Sequence, residues 1–170
     1  MRVAHLLRHA KSSWDDPHRA DIDRPLAPRG RRAARAMAER LRREAVRPDL
    51  VICSPARRTR ETLEIVAAAF PDAEVRFEDA LYGAGGGDLL ACLRASPDRA
   101  ASIMVVGHNP GLHDLAVSLA GGGDPDDLAR LAAKMPTGAL ATLRAPARRW
   151  RDVSPGTAEL ADFVVPRELR

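Results

Sequence analysis

Three short apolar runs, each ending abruptly in polar residues, restrict the possible folds of this chain more than any other feature. Residues 3–7 (Val-Ala-His-Leu-Leu) lead into Arg8, His9, Ala10 and Lys11. Residues 50–53 (Leu-Val-Ile-Cys) lead into Ser54-Pro55, and residues 102–106 (Ser-Ile-Met-Val-Val) lead into Gly107-His108-Asn109-Pro110-Gly111. Runs of this length bounded by turn-forming residues read as buried strands. Between them the apolar period changes. Residues 29–45 carry Ala33, Ala34, Met37, Ala38, Leu41 and Ala45 at helical spacing among arginines and glutamates, which predicts an amphipathic helix packed on a sheet. Ser54-Pro55 reads as a helix start, with Ser as the cap and Pro in the first turn; that helix runs to about residue 70 and turns Leu63, Ile65, Val66 and Ala69 inward. Strands alternating with helices imply an α/β protein, a three-layer α/β/α sandwich with a mainly parallel central sheet.

The remaining segments fill in this plan. Residues 15–28, broken by Pro17, Pro25 and Pro28, read as a surface loop. Residues 74–77 alternate like a short strand, Gly85-Gly86-Gly87 reads as a mobile loop, and residues 88–95 form a short helix. A helix over 112–120 is broken by Gly121-Gly122-Gly123, a further helix fits 125–133, and residues 137–143 and 158–165 are closing strands. With 170 residues, 45% of them hydrophobic, the chain fits a single domain, 1–170. No stretch approaches a membrane span, and the start lacks a secretory leader pattern, so the expectation is a cytoplasmic protein with no membrane partner. Cys53 and Cys92 share no metal-ligand or redox spacing. The net charge of +4 comes from arginines interspersed with carboxylates, Lys11 and Lys134 being the only lysines, and aromatics make up 4%. Nucleic-acid binding by base stacking is therefore not expected.

If the strands are parallel, the loops that follow them open on one edge of the sheet, where α/β proteins bind ligands. Arg8-His9, the segment 54–60 and Gly107-His108-Asn109 then converge, bringing two histidines and several arginines to one pocket. Such a set lacks the additional ligands of a zinc site and would repel a cation, so no metal is expected. Guanidinium groups around an imidazole suit an anion, phosphate first of all. His5 reads as a core histidine, His18 and His113 as surface or packing residues, and Trp14 and Trp150 as packing anchors, with Trp14 near enough to the pocket loop to touch a substrate. Ser54 has no nucleophile elbow around it.

Leu6-Leu7-Arg8-His9-Ala10, Ser54-Pro55-Ala56-Arg57-Arg58-Thr59-Arg60-Glu61-Thr62 and Val106-Gly107-His108-Asn109-Pro110 resemble, in order and separation, the signatures of the histidine phosphatase superfamily. The short chain and the Arg-His-Ala-Lys-Ser-Ser-Trp form point to its SixA-like phosphohistidine phosphatase branch, and Leu26 and Gly30 fit the family's loop-to-helix segment. The resemblance implies a phosphoglycerate mutase-like fold and a phosphatase without cofactor. It makes His9 the nucleophile that accepts a phosphoryl group, with Arg8, Arg58 and His108 binding the phosphate, and leaves Arg57 and Arg60 on the surface. Two positions depart from the family pattern: Ala10 stands where the family has glycine, and Asp15 where many relatives have asparagine. The acid that protonates the leaving group in phosphoester branches has Glu78 or Asp79 as its counterpart here. A phosphohistidine imidazole leaves readily, whereas an alkoxide needs that acid. The expected partner is therefore a phosphorylated protein, such as a histidine phosphotransfer domain; a small phosphate ester is the alternative, and a non-catalytic phosphoprotein-binding module a third reading.

Overall fold

Seven strands form one sheet in the order β3-β2-β4-β1-β6-β7-β5. The computed structural model describes residues 1–169. The chain runs β1 (Arg2–Arg8), α1 (Pro28–Arg43), β2 (Leu50–Cys53), α2 (Arg57–Val66), β3 (Glu74–Phe77), α3 (Gly86–Arg94), β4 (Ser102–Gly107), α4 (Gly111–Leu119), β5 (Ala120–Gly123), α5 (Pro125–Ala133), β6 (Leu140–Ala145) and β7 (Ala158–Val164). The pairs β3-β2, β2-β4, β4-β1 and β7-β5 are parallel; β6 alone runs against its neighbours β1 and β7. The expected mainly parallel α/β sandwich is the observed fold.

The apolar runs have no polar alternation because both faces of the central strands are covered. Successive side chains point to opposite faces, so neighbours in sequence serve different cores. Leu6, Ile52, Ile103 and Val105 pack with Leu89, Leu93, Leu112, Leu115 and Trp150 on one face. Leu7, Val51, Cys53, Met104 and Val106 pack with Met37, Leu41, Leu63 and Val66 of α1 and α2 on the other. Among the described residues no helix is long and apolar enough to cross a membrane.

Four local expectations are corrected. Gly121-Gly122-Gly123 ends α4 as expected, yet it lies in β5, which pairs in parallel with β7. A Cβ at Gly121 would lie 1.9 Å from the Gly156 carbonyl oxygen, so the run is glycine-rich because another backbone passes over it. Gly86 and Gly87 are not in a loop but in the first turn of α3, where the Asp88 carboxylate accepts from the Gly85 N–H at 3.0 Å and fixes the turn. α2 begins at Arg57 rather than at Ser54-Pro55, with Ala56 as its N-cap and no side chain capping it, and the Ser54 hydroxyl lies 2.8 Å from His108 Nε2. Trp14 is no packing anchor: it is 69% exposed, with the Arg24 guanidinium 3.5 Å from its ring centre.

Candidate active site

β1 and β4 lie side by side in parallel, so both end on the same sheet edge, and Arg8 pairs with Gly107 in the register. The chain beyond β1 is held from two sides. His9 N–H donates to the Gly107 carbonyl at 3.1 Å, and the His9 carbonyl accepts from Gly138 N–H at 2.8 Å. A third tie comes from α2: Thr62 Oγ1 accepts from Ala10 N–H at 3.0 Å and donates to the Arg58 carbonyl at 2.7 Å. Gly30, at the start of α1, closes the packing, since a Cβ there would meet the Lys11 carbonyl oxygen at 2.0 Å.

These ties orient the His9 imidazole. Its Nδ1 lies 2.7 Å from the Ala10 carbonyl oxygen. An oxygen of that kind only accepts, so Nδ1 carries the proton and Nε2 keeps a free lone pair. His9 is 6% exposed, and its pKa is lowered to about 3. Burial is the largest cause; the Ala10 hydrogen bond opposes it in part, and the neighbouring His108 and the charges of Arg58 and Arg8 add smaller downward pushes. Desolvation, more than the arginines, keeps this imidazole neutral.

The structure brings together the four residues singled out from the sequence. The His9 and His108 ring centres are 5.4 Å apart. His108 Nε2 lies 2.8 Å from Ser54 Oγ, which draws the β2 loop to the β4 loop, and its pKa is lowered to about 4 by burial first and then by Arg58. Arg8 Nη1 donates to the Met135 carbonyl at 3.0 Å, and the same oxygen accepts from Asn109 Nδ2 at 2.8 Å. Arg58, 6% exposed, donates from Nη1 to the Asp21 carbonyl at 2.8 Å and from Nη2 to Asp21 Oδ2 at 3.0 Å. Arg57 and Arg60 are exposed. Three nitrogens of this group, Arg8 Nε, Arg58 Nε and His108 Nδ1, are buried with no hydrogen-bond partner. Buried polar groups normally find partners, so this shortfall marks a place prepared for something polar.

Asp21, Arg24 and Tyr82 were not anticipated. Segment 15–28 is more than a surface loop: Arg24 and Leu26 are buried, and Ser12 bridges to Leu26. Asp21 Oδ2 accepts from Tyr82 Oη at 2.6 Å as well as from Arg58, and Asp21 Oδ1 accepts from Arg24 Nε at 3.1 Å. The Tyr82 hydrogen bond first, then Arg58 and Arg24, hold the Asp21 carboxyl at about 2. Tyr82 in turn stands edge-on to His108, with ring centres 5.7 Å apart. The one sequence signal was an arginine set among two aspartates, Asp21-Ile22-Asp23-Arg24, in an otherwise proline-broken stretch. Glu78 and Asp79 are both exposed, and the carboxylate whose charge reaches His108 is that of Asp21. Asp15 is also exposed. His5 is buried, its Nδ1 lying 3.1 Å from Thr142 Oγ1, in keeping with a core histidine.

Comparison with known proteins gives consistent relatives. The family model of the histidine phosphatase superfamily (branch 1) matches residues 4–89. An uncharacterized protein of Mycobacterium tuberculosis is 42% identical over 163 residues, spanning 95% of this chain and 100% of that protein. Among solved structures, a candidate phosphohistidine phosphatase SixA from Agrobacterium tumefaciens superposes with a TM-score of 0.82 at 31% identity, covering 97% of this chain and 98% of that one. A candidate phosphohistidine phosphatase SixA from Nakamurella multipartitia gives 0.81 at 32% identity, with 97% and 96% covered.

Proposed function

The chain belongs to the histidine phosphatase superfamily (branch 1), and on that premise we propose that it is a metal-independent phosphatase that hydrolyses phosphohistidine in proteins through a phosphoryl intermediate on His9. The observation that carries this reading is the free Nε2 lone pair of a buried, neutral imidazole set among the unpartnered nitrogens of Arg8, Arg58 and His108. In the first step Nε2 attacks phosphorus. The bond from phosphorus to the substrate imidazole, which carries a proton on its other ring nitrogen, breaks, and its electron pair stays on the leaving nitrogen, so that neutral imidazole departs. In the second step water attacks the phosphoryl group on His9, loses its proton to solvent and returns the electron pair to Nε2 as inorganic phosphate departs. Arg8, Arg58 and His108 bind the transferring group and offset its charge, which is most of what phosphoryl transfer asks of a protein.

The substrate class follows from the carboxylate that reaches the site. Asp21, held near 2, is ionised at neutral pH and has no proton to give to an alkoxide. A phosphohistidine protonated on its other ring nitrogen departs as neutral imidazole, whose conjugate acid has a pKa of about 6.5, so no acid is needed at the leaving nitrogen. The likeness to the two SixA candidates supports the same choice. The test compares hydrolysis of a phosphohistidine-bearing protein with that of a panel of phosphoesters, for wild type, Glu78→Gln and Asp79→Asn. The expected result is a clear preference for the phosphohistidine protein and little effect of either substitution on it. Faster turnover of a phosphoester, lost in Glu78→Gln or Asp79→Asn, would give the small-ester reading instead, and no turnover of any phosphorylated compound would leave a binding module.

A further inference from the structure

A cavity of about 670 Å³ lies apart from His9, Arg8, Arg58 and His108, none of which lines it; of the residues around it only Lys11, through its carbonyl against Gly30, belongs to the packing described above. Its rim carries Lys11, Arg29, Arg32, Lys134 and Arg167, all exposed. Among the described residues none of these five pairs with a carboxylate. The groove holds both of the chain's lysines. Its floor is apolar, built from Ala33 and Ala36 of α1 and from Phe163 and Val165 at the end of β7. What sets this place apart from other unpaired arginines is the gathering: five cations without a carboxylate partner around one apolar trough form a surface complementary to an anionic partner that also carries apolar side chains.

The topology places this groove on the catalytic edge of the sheet. Lys11 lies two residues after His9, and α1, which contributes Arg29 and Arg32, begins at that edge. β6 is antiparallel to β1 and to β7, so the start of β6 and the end of β7 face the same way as the end of β1. Lys134 and Arg167, from the segments adjoining those two strand ends, therefore share a rim with His9. One loop joins the two regions physically: the Met135 carbonyl holds Arg8 and Asn109, while Lys134, Pro136 and Thr137 line the groove.

We propose that this groove docks an acidic, partly apolar polypeptide segment of the phosphorylated protein whose phosphohistidine enters at His9, an inference that rests on the phosphohistidine reading. A protein segment fits better than a nucleic-acid strand because the trough is lined by alanine, valine and the ring of Phe163, which is already faced by Arg130, with no open aromatic surface for a base. The groove adds affinity for the protein that carries the phosphate and does nothing to the chemistry.

Two charge-reversing variants test it, K134E/R167E and, from a different element, R32E, each checked for an unchanged melting temperature. One readout is fluorescence anisotropy of a labelled 12-residue peptide of glutamates and leucines, against a single-stranded oligonucleotide of equal length. The other is steady-state kinetics on an acidic phosphohistidine-bearing protein and on phosphoramidate, which is too small to reach the groove. The expected result is about tenfold weaker peptide binding in K134E/R167E, a matching rise in KM for the phosphoprotein with kcat unchanged, and unaltered phosphoramidate hydrolysis. Equal peptide binding by wild type and both variants, or tighter binding of the oligonucleotide than of the peptide, would overturn the proposal. A wild-type protein inactive on the phosphoprotein but binding the peptide in a groove-dependent way would overturn the phosphohistidine reading and uphold the groove.

Discussion

Replacing Gly30 with alanine is expected to damage stability and catalysis together. In an exposed helix the exchange would favour folding by about 1 kcal/mol, because alanine is the better helix former. Here the added Cβ would stand 2.0 Å from the Lys11 carbonyl oxygen and 2.9 Å from the Lys11 carbonyl carbon and nitrogen. Restoring an ordinary carbon-to-oxygen separation of about 3.3 Å needs a displacement of roughly 1.3 Å. The obstacle is backbone, so no side-chain rotation relieves it. Lys11 O also accepts from Ala27 N–H at 2.9 Å, and the preceding carbonyl, that of Ala10, fixes His9 Nδ1. Overpacking of this kind costs about 1–3 kcal/mol. A shift of about 1 Å in a reacting group is enough for a rate loss on the order of a hundredfold. Urea denaturation gives the first quantity and single-turnover hydrolysis of a phosphohistidine protein the second. A Gly30→Ala protein as stable as wild type and within twofold of its rate would refute the claim that this contact positions the nucleophile.

Four further outcomes are expected. Because His9 is held near 3, kcat/KM stays free of a His9 protonation step from pH 8 down to pH 5; a tenfold fall centred near 6.5 would contradict this. The same depression has a cost to folding: the unfolded chain takes up protons on His5 and His9 below about 6.5 that the native state refuses, so stability falls with pH from there toward 4, by at most about 1.4 kcal/mol per unit for each histidine. Urea midpoints at pH 7 and pH 5 measure it, and equal values would count against buried neutral imidazoles. Asp21→Asn removes a half-exposed anion from Arg58 while leaving the bond to the Asp21 carbonyl in place, so product inhibition by inorganic phosphate should tighten, by about fivefold for a screened contact of about 1 kcal/mol; weaker inhibition would show that the carboxylate is needed to hold Arg58. Ala45 ends α1 with φ of 52°, a left-handed conformation that alanine resists, and Ala45→Gly should raise the unfolding free energy by about 1 kcal/mol in the same denaturation assay.

The elements that meet His9 were readable from the sequence where local pattern decides the outcome. The largely apolar runs at 3–7, 50–53 and 102–106 read as strands covered on both faces, and parallel strands bring their following loops to one edge, so the meeting of His9, Arg58 and His108 followed from chain order. Asp21 and Tyr82 lie 61 residues apart, in a loop and just after β3, and nothing local announces that they will share a hydrogen bond. Arg24 lies in the stretch 15–28 that reads as a surface loop, yet it is buried because Ser12, the Ser13 carbonyl and Asp21 satisfy its donors, partners set only by the tertiary fold. The Gly121-Gly122-Gly123 run misled for a related reason: Gly121, like Gly30, is small because another stretch of backbone lies against it, a requirement that propensity along the chain does not express. The cationic groove was equally hidden, since its rim is gathered from α1, the loop after β1 and the segments flanking β6 and β7.

The central claim is that His9 attacks phosphorus through Nε2, its other nitrogen being tied to the Ala10 carbonyl. Rapid denaturing quench of the enzyme during turnover, followed by phosphorus NMR of the isolated phosphopeptide, reads this directly. The account expects acid-labile phosphate on Nε2 of His9, and none in His9→Ala. Phosphate on Nδ1, on His108, or on no histidine during active turnover would contradict it.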